Sequence, residues 1–345
     1  MQAMVLKKIG PLQKDEARLS LEDLPIPRQA EDELLIRVSA CGVCHTELDE
    51  IEGRTPPPRL PVVLGHQVIG RVEAVGIKAT LFQQGDRVGV GWIFSACGRC
   101  RFCREGNENL CPAFKATGRD FNGGYAEYMT VPERSCFAIP AIFSDSEAAP
   151  LLCAGAIGYR SLRLTGLTNG KSLGLTGFGA SAHLVLHLTR HLFPASPVFV
   201  FARNENEREF ALELGAVWAG DIGHQPPRQI DCIIDTTPAW TPVVAALACL
   251  APGGRLVINA IRKEESDKNS LLQLDYSSHL WQEKEIKSVA NVSRADIREF
   301  LELAAAIPIR PEVQEFNLRD ANKALAELKT RKIRGAKVIT IAPSE

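Results

Sequence analysis

The stretch "LTGFGASAH", residues 175–183, decides the fold. It closes the strand-like run "SLGLTG" at 172–177 and opens a helical stretch near 180–192, so Gly177, Gly179 and Ala182 stand as G-x-G-x-x-A at a strand-to-helix turn. In that setting the first glycine makes the turn, the second lets a phosphate approach the backbone, and the helix N-terminus attracts negative charge. Without the flanking strand and helix the same triplet is an ordinary glycine turn.

Downstream the rhythm repeats. "VFVFA" at 198–202, a helix near 205–214, "IDCIIDT" at 230–236, a helix near 239–250 and "GRLVINA" at 254–260 alternate strand with helix. Strands and helices of these lengths predict a parallel, doubly wound α/β sheet. Residues 1–150 read differently: "LLIRVSA" at 34–40, "VIGRVEAVG" at 68–76 and "DRVGVGWIF" at 86–94 are short β-rich runs punctuated by turn signals, which predicts a compact β-rich domain. After about 290, helical runs at 295–306 and 319–330 precede a closing strand at 336–342, which either extends the α/β domain or returns to the first one.

A chain of 345 residues has room for two ordinary cores. Its 23% charged residues and formal charge of −1 carry no electrostatic bias toward nucleic acid. The longest apolar run, "VVAALACLA" at 243–251, is about half the roughly 20 residues a membrane-spanning helix needs. The opening residues lack an apolar stretch of signal-peptide length, so a cytoplasmic protein is expected. In a reducing compartment, clusters among its ten cysteines point to metal or chemistry more than to disulfides.

Four of those cysteines, Cys97, Cys100, Cys103 and Cys111, stand at C-x2-C-x2-C-x7-C. Two-residue gaps let successive thiolates turn onto one ion, the pattern of a structural zinc site with no open coordination position. Two other readings are unrelated buried thiols and an iron–sulfur cluster, but the bacterial iron–sulfur run ends in a shorter gap. By contrast, "ACGVCHTELDEIEG" at 40–53, His66 in "LGHQVIG" and Cys153 in "PLLCAGAIGY" are too far apart for spacing to join them. Taken alone, His66 reads as a satisfied structural histidine and Cys153 as a small buried residue.

Near the second strand's end, Ala202 and Arg203 in "VFVFARNENER" occupy the place where an NAD-binding sheet usually carries an acid. A small residue followed by arginine admits and pairs a 2′-phosphate, so NADP(H) is expected in preference to NAD(H), with Arg208 assisting. The competing readings are an NAD site using Glu205 and a solvated Arg203.

The order "CGVCHTE", "GHQ", four-cysteine lobe, "CAG" and glycine loop resembles the zinc-dependent medium-chain alcohol dehydrogenases over essentially the whole chain. The resemblance implies a GroES-like β-rich catalytic domain, residues 1–154 with 291–345 returning to it, and a Rossmann domain over 155–290. It implies two Zn²⁺ per chain, the catalytic one on Cys44, His66 and Cys153, with Cys41 a core neighbour. It places His45 near the cofactor pyrophosphate, Thr46 against the alcohol and Glu47 behind the ligand histidine. Trp92 and Ile93 then line the substrate pocket, with primary or aromatic alcohols and their aldehydes or ketones as the small-molecule partners; a plain core tryptophan is the other reading of Trp92.

Three positions depart from the family pattern. Gln67 replaces a glutamate, Asp49 stands where a relay histidine is usual, and Ala336 replaces a pyrophosphate arginine for which Arg334 or Lys337 is the candidate substitute. Proton transfer is expected to run through Thr46 with Asp49 outermost. The departures keep open a cofactor-binding protein with an impaired metal site, and a zinc polyol dehydrogenase is a further alternative. A homo-oligomer, dimer or tetramer, is expected from the relatives, and neither nucleic acid nor membrane is expected as a partner. His183, His187 and His191 repeat every four residues beside the apolar stripe Leu184, Leu188 and Leu192, and read as solvated flank residues.

Overall fold

The strand Glu33–Val43 organises the β-rich part of the chain in a computed structural model that describes residues 1–12, 17–307, 309–330 and 335–341. Leu34, Ile36 and Val38 point into the core, where each buried side chain contributes about 1.5–3 kcal/mol relative to exposure. The strand pairs antiparallel with Val68–Val75 along most of its length. Tyr128–Pro132 pairs with its first half and Ala336–Thr340 with its last four matched residues, Ala40 to Val43. Register shifts at Leu35/Ile36 and Val38/Ala40 bend it on the way to Cys44.

Two compact units emerge, Met1–Ala156 with Val292–Glu345, and Ile157–Asn291. The closing strand therefore belongs to the first unit, because its backbone partner is Glu33–Val43. In the second unit, six strands lie in the order Trp218–Gly220, Val198–Phe201, Leu173–Thr176, Ile230–Asp235, Leu250–Ile258 and Glu285–Ser288. Every neighbouring pair is parallel, and counted from the unit's first strand the order is 3-2-1-4-5-6, that of a dinucleotide-binding sheet. Leu173–Thr176 and Val198–Phe201 are buried at all positions, as strands covered on both faces must be. The α/β class and the doubly wound sheet expected from the sequence are both present.

The apolar run at 243–251 is divided between the helix Thr241–Cys249 and the strand beginning at Leu250. No helix among the described residues is long and apolar enough to cross a membrane.

Candidate active site

Strand Glu33–Val43 ends at Cys44, and the helix His45–Ile51 begins at once. Glu47 reaches back so that Cys44 N donates to its Oε2 at 2.7 Å, satisfying one of the helix's free N–H groups. The other oxygen of Glu47 lies 2.5 Å from His66 Nδ1. That contact fixes the imidazole and turns Nε2 toward Cys153 Sγ, 3.3 Å away.

Cys153 sits in a π-helical turn, Leu151–Gly155, inserted between Asp145–Pro150 and Ala156–Thr165. Such turns are rare and cluster at functional sites, because the wider spiral re-aims a side chain. The ligating atoms of Cys44, His66 and Cys153 lie within 4.8 Å of one another. His66 follows Gly65, whose φ of +98° and contact with Tyr125 and Cys41 exclude a side chain there.

The hydrogen bond between the two thiols holds Cys44 well below the ordinary thiol range and pushes Cys153 well above it. Burial lowers His66, but Glu47 and Cys44 outweigh it and the imidazole is raised well above its usual value. Two sulfurs and an imidazole nitrogen with a carboxylate behind it are a fitting zinc donor set, and three protein donors leave a fourth position for a ligand.

Around this cluster, Thr46 Oγ1 is 3.6 Å from Cys44 Sγ, and His45 is exposed at the start of the helix. Asp49 is buried, and its Oδ1 accepts from Arg54 Nε at 2.6 Å, an ion pair with no signal in the residue order. Trp92 is 6.4 Å from the His66 ring and 5.2 Å from Phe114, with the Arg119 guanidinium over its face. Ile93 is fully buried in the strand Ile93–Ser95.

The second cluster is local. Cys97, Cys100, Cys103 and Cys111 bring their sulfurs within 4.8 Å of one another, with Cys100 and Cys103 3.5 Å apart. Backbone N–H groups of Arg99 and Cys100 hold Cys97 down to about 6, whereas burial and the neighbouring thiols push Cys103 up to about 12. Glu108, between Cys103 and Cys111, accepts from Arg294 N at 2.9 Å and ties the lobe to the helix Arg294–Ala306.

In the other unit, Gly177 adopts φ +79° between the strand Leu173–Thr176 and the helix Ala180–Leu192, and a Cβ there would meet Thr236 and Thr237. A Cβ on Gly179 would meet nothing, so the loop is open where a phosphate would lie, and Ala182 is fully buried. Ala202 is buried at the end of its strand, and Arg203 and Glu205 are both exposed. Arg208 donates to the backbone oxygens of Ala202 and Arg203, so it braces the loop.

Some features escaped the sequence reading. Glu207 accepts a hydrogen bond from the backbone of Phe178 inside the glycine loop, and burial raises its carboxyl. His183 is buried against Phe210 instead of forming part of a solvated flank, because the helix turns that face into the core; His187 is half-buried and only His191 is exposed. Lys337 is buried and bound to Glu327 and Gln314, so it is not free to meet a pyrophosphate; Arg334 lies outside the described residues.

A doubly wound nucleotide-binding sheet joined to a β-rich unit with a Cys–His–Cys triad and a four-thiol lobe is the architecture of a metal-dependent dehydrogenase. Residues 30–141 match the alcohol dehydrogenase GroES-like domain. The chain is 42% identical to the probable alcohol dehydrogenase AdhA of Mycobacterium tuberculosis (strain CDC 1551 / Oshkosh), covering 99% of this chain and 97% of that one. It is 33% identical to the probable cinnamyl alcohol dehydrogenase 8A of Oryza sativa subsp. japonica, over 91% of this chain and 89% of the relative. Among solved structures, the cinnamyl alcohol dehydrogenase SbCAD4 of Sorghum bicolor matches with a TM-score of 0.85 at 26% identity, covering 100% of this chain and 98% of that one. The chain belongs to the zinc-dependent medium-chain alcohol dehydrogenases, a family of oxidoreductases.

Proposed function

We propose that the protein interconverts primary or aromatic alcohols and their aldehydes by hydride transfer with NADP(H), using zinc on Cys44, His66 and Cys153 and a structural zinc on the four-cysteine lobe. The convergence of Cys44 Sγ, His66 Nε2 and Cys153 Sγ carries this reading, since an impaired site would have lost a donor or its orientation. A zinc ion held there supplies Lewis-acid polarisation of the alcohol or carbonyl oxygen. The chain's own groups do the rest. Two thiolates balance a dication, Glu47 holds the imidazole, and Thr46, beside Cys44, exchanges the substrate's proton. Asp49 follows Thr46 on the same helix, yet its carboxylate is engaged by Arg54, so the next proton station is left open.

The exposed Arg203 beyond a small, buried Ala202 supports NADP(H) over NAD(H). His45, exposed at the helix start, keeps its proposed place near the pyrophosphate. Trp92 and the likeness to a probable cinnamyl alcohol dehydrogenase support aromatic substrates, with Ile93 behind the pocket wall. A homo-oligomer is the proposed assembly: the edge strand Glu285–Ser288 is exposed throughout, and Trp281 and Tyr276 beside it are exposed apolar surface of the kind a second copy covers. Two clusters of cysteines placed to hold metal support a reducing, cytoplasmic setting.

The test is a panel of primary, secondary, aromatic and polyhydric alcohols, and the matching carbonyls, assayed with each nicotinamide cofactor alongside zinc analysis. Aromatic aldehyde reduction with NADPH and two zincs per chain are the expected results. A preference for polyols supports the polyol dehydrogenase reading instead, and an absence of turnover in zinc-loaded protein overturns both.

A further inference from the structure

Glu50 is the most anomalous side chain near the triad. It is 1% exposed, and neither carboxylate oxygen has a hydrogen-bond partner. Buried carboxyl groups are otherwise paired, so an unpartnered one calls for a functional explanation. Its position supplies one. On the helix His45–Ile51, Glu50 is one turn beyond Thr46 and three residues beyond Glu47, so all three share a face. That face is the one Glu47 turns to His66 and Thr46 turns to Cys44. Asp49, its neighbour in sequence, is turned to Arg54.

We propose that Glu50 is the proton station behind Thr46. In aldehyde reduction the carbonyl carbon receives the hydride, the carbonyl oxygen takes the Thr46 hydroxyl proton, and the Thr46 oxygen regains a proton from the Glu50 carboxyl. Glu50 is left as a carboxylate, which recovers a proton from water before the next turnover. Oxidation runs the same transfers backwards. Cβ atoms one turn apart are about 5–6 Å from each other, a span that one bridging water closes.

The charged surroundings favour this role. Burial and then the Glu47 charge hold Glu50 well above the usual carboxyl range, with Cys44 acting in the same direction and His66 and Arg119 opposing. Tyr125, also buried near this group, has an unpartnered hydroxyl. Arg119 donates to Asp120, so it acts on Glu50 from a distance and does not replace a hydrogen-bond partner. A buried carboxyl with no competing hydrogen-bond partner, one helical turn from the Thr46 hydroxyl, is placed to pass a proton.

This inference rests on the dehydrogenase reading of the triad. The experiment compares wild-type holoenzyme with Glu50→Gln, Glu50→Asp, Asp49→Asn and Cys44→Ser in single-turnover aldehyde reduction, with proton uptake followed by a pH indicator. Infrared spectra of the loaded proteins report any protonated carboxylic acid. Glu50→Gln is expected to retain two zincs per chain, to slow proton uptake about 100-fold with little change in aldehyde KM, and to lose a carboxylic acid band present in wild type. Glu50→Asp is expected to recover part of the rate, and Asp49→Asn to keep the wild-type pH profile. Wild-type proton uptake and pH dependence in Glu50→Gln, or in Glu50→Ala should the first variant not fold, overturn the assignment; so does a wild-type-minus-Glu50→Gln infrared difference spectrum with no carboxylic acid band. Full zinc and full activity in Cys44→Ser would instead remove the metal reading on which it stands.

Discussion

Glu47 Oε1 lies 2.5 Å from His66 Nδ1, and its Oε2 accepts from Cys44 N at 2.7 Å, so one buried carboxylate orients two of the three donors of the triad. A side chain buried behind the donors thereby sets the geometry of the triad.

Replacing Glu47 by Gln should weaken metal binding at the triad about 10- to 100-fold, the usual effect of removing the carboxylate behind a ligand histidine. Chelator titration monitored by zinc release checks this. Glu47→Ala should also destabilise the fold by about 1–3 kcal/mol, because Cys44 N then loses its acceptor.

The four-thiol lobe makes a pH-dependent prediction for chelator-treated protein. Backbone N–H groups of Arg99 and Cys100 favour the Cys97 thiolate, so its folded value is lowered to about 6 and the added stability of the anion is lost as pH falls through that value. Cys103 is raised to about 12, chiefly by burial, and stays a thiol at neutral pH. Iodoacetamide at pH 7 should therefore label Cys97 well before Cys103 in chelator-treated protein, and labelling of Cys97 should fade below about pH 6. Peptide mass spectrometry reads both, and equal labelling of the two contradicts the geometry.

Arg203→Ala should raise the KM for NADPH by about tenfold or more and leave that for NADH nearly unchanged, since a charge-assisted bond to the 2′-phosphate contributes about 1.5–3 kcal/mol. Ala202→Asp should favour NADH by placing a carboxylate at the strand end. Steady-state kinetics with both cofactors decides the matter.

What could be read in the sequence was whatever neighbouring residues encode. The Cys97 to Cys111 spacing closes within one short segment, and the Gly177 loop is a strand-to-helix turn, so both are legible from local order. Cys44, His66 and Cys153 meet only because Glu33–Val43 pairs with Val68–Val75 and a π-helical turn re-aims Cys153, and neither pairing nor helix type is written in spacing. Family resemblance supplied that assignment. Charged residues show the same limit: one-dimensional order does not reveal that packing brings Lys337 against Glu327 and Asp49 against Arg54.

Lys337 is 2% exposed, 2.7 Å from Glu327 and over the Phe316 ring. Glu327 keeps a quarter of its side chain in solvent, which softens the penalty of losing the lysine. Lys337→Ala should then lower unfolding free energy by about 2 kcal/mol, through lost packing as well as the lost pair. Its KM for NADPH should stay at the wild-type value, and a rise without a stability change would restore the pyrophosphate role.

Thr46 is the proposed hinge of the proton chemistry, because its hydroxyl lies beside Cys44 Sγ. Removing it in Thr46→Ala should lower kcat about 100-fold or more while zinc content holds, the range associated with a positioned proton-transfer group. Thr46→Ser keeps the hydroxyl on the same backbone atom and should restore most of the rate. The contrast separates chemistry from packing: a methyl lost from a half-buried helix position lowers stability in both variants, but only the alanine variant has nothing with which to exchange a proton. Equal kcat in the two variants would mean that water performs the transfer and that Thr46 merely fills space beside the metal ligands.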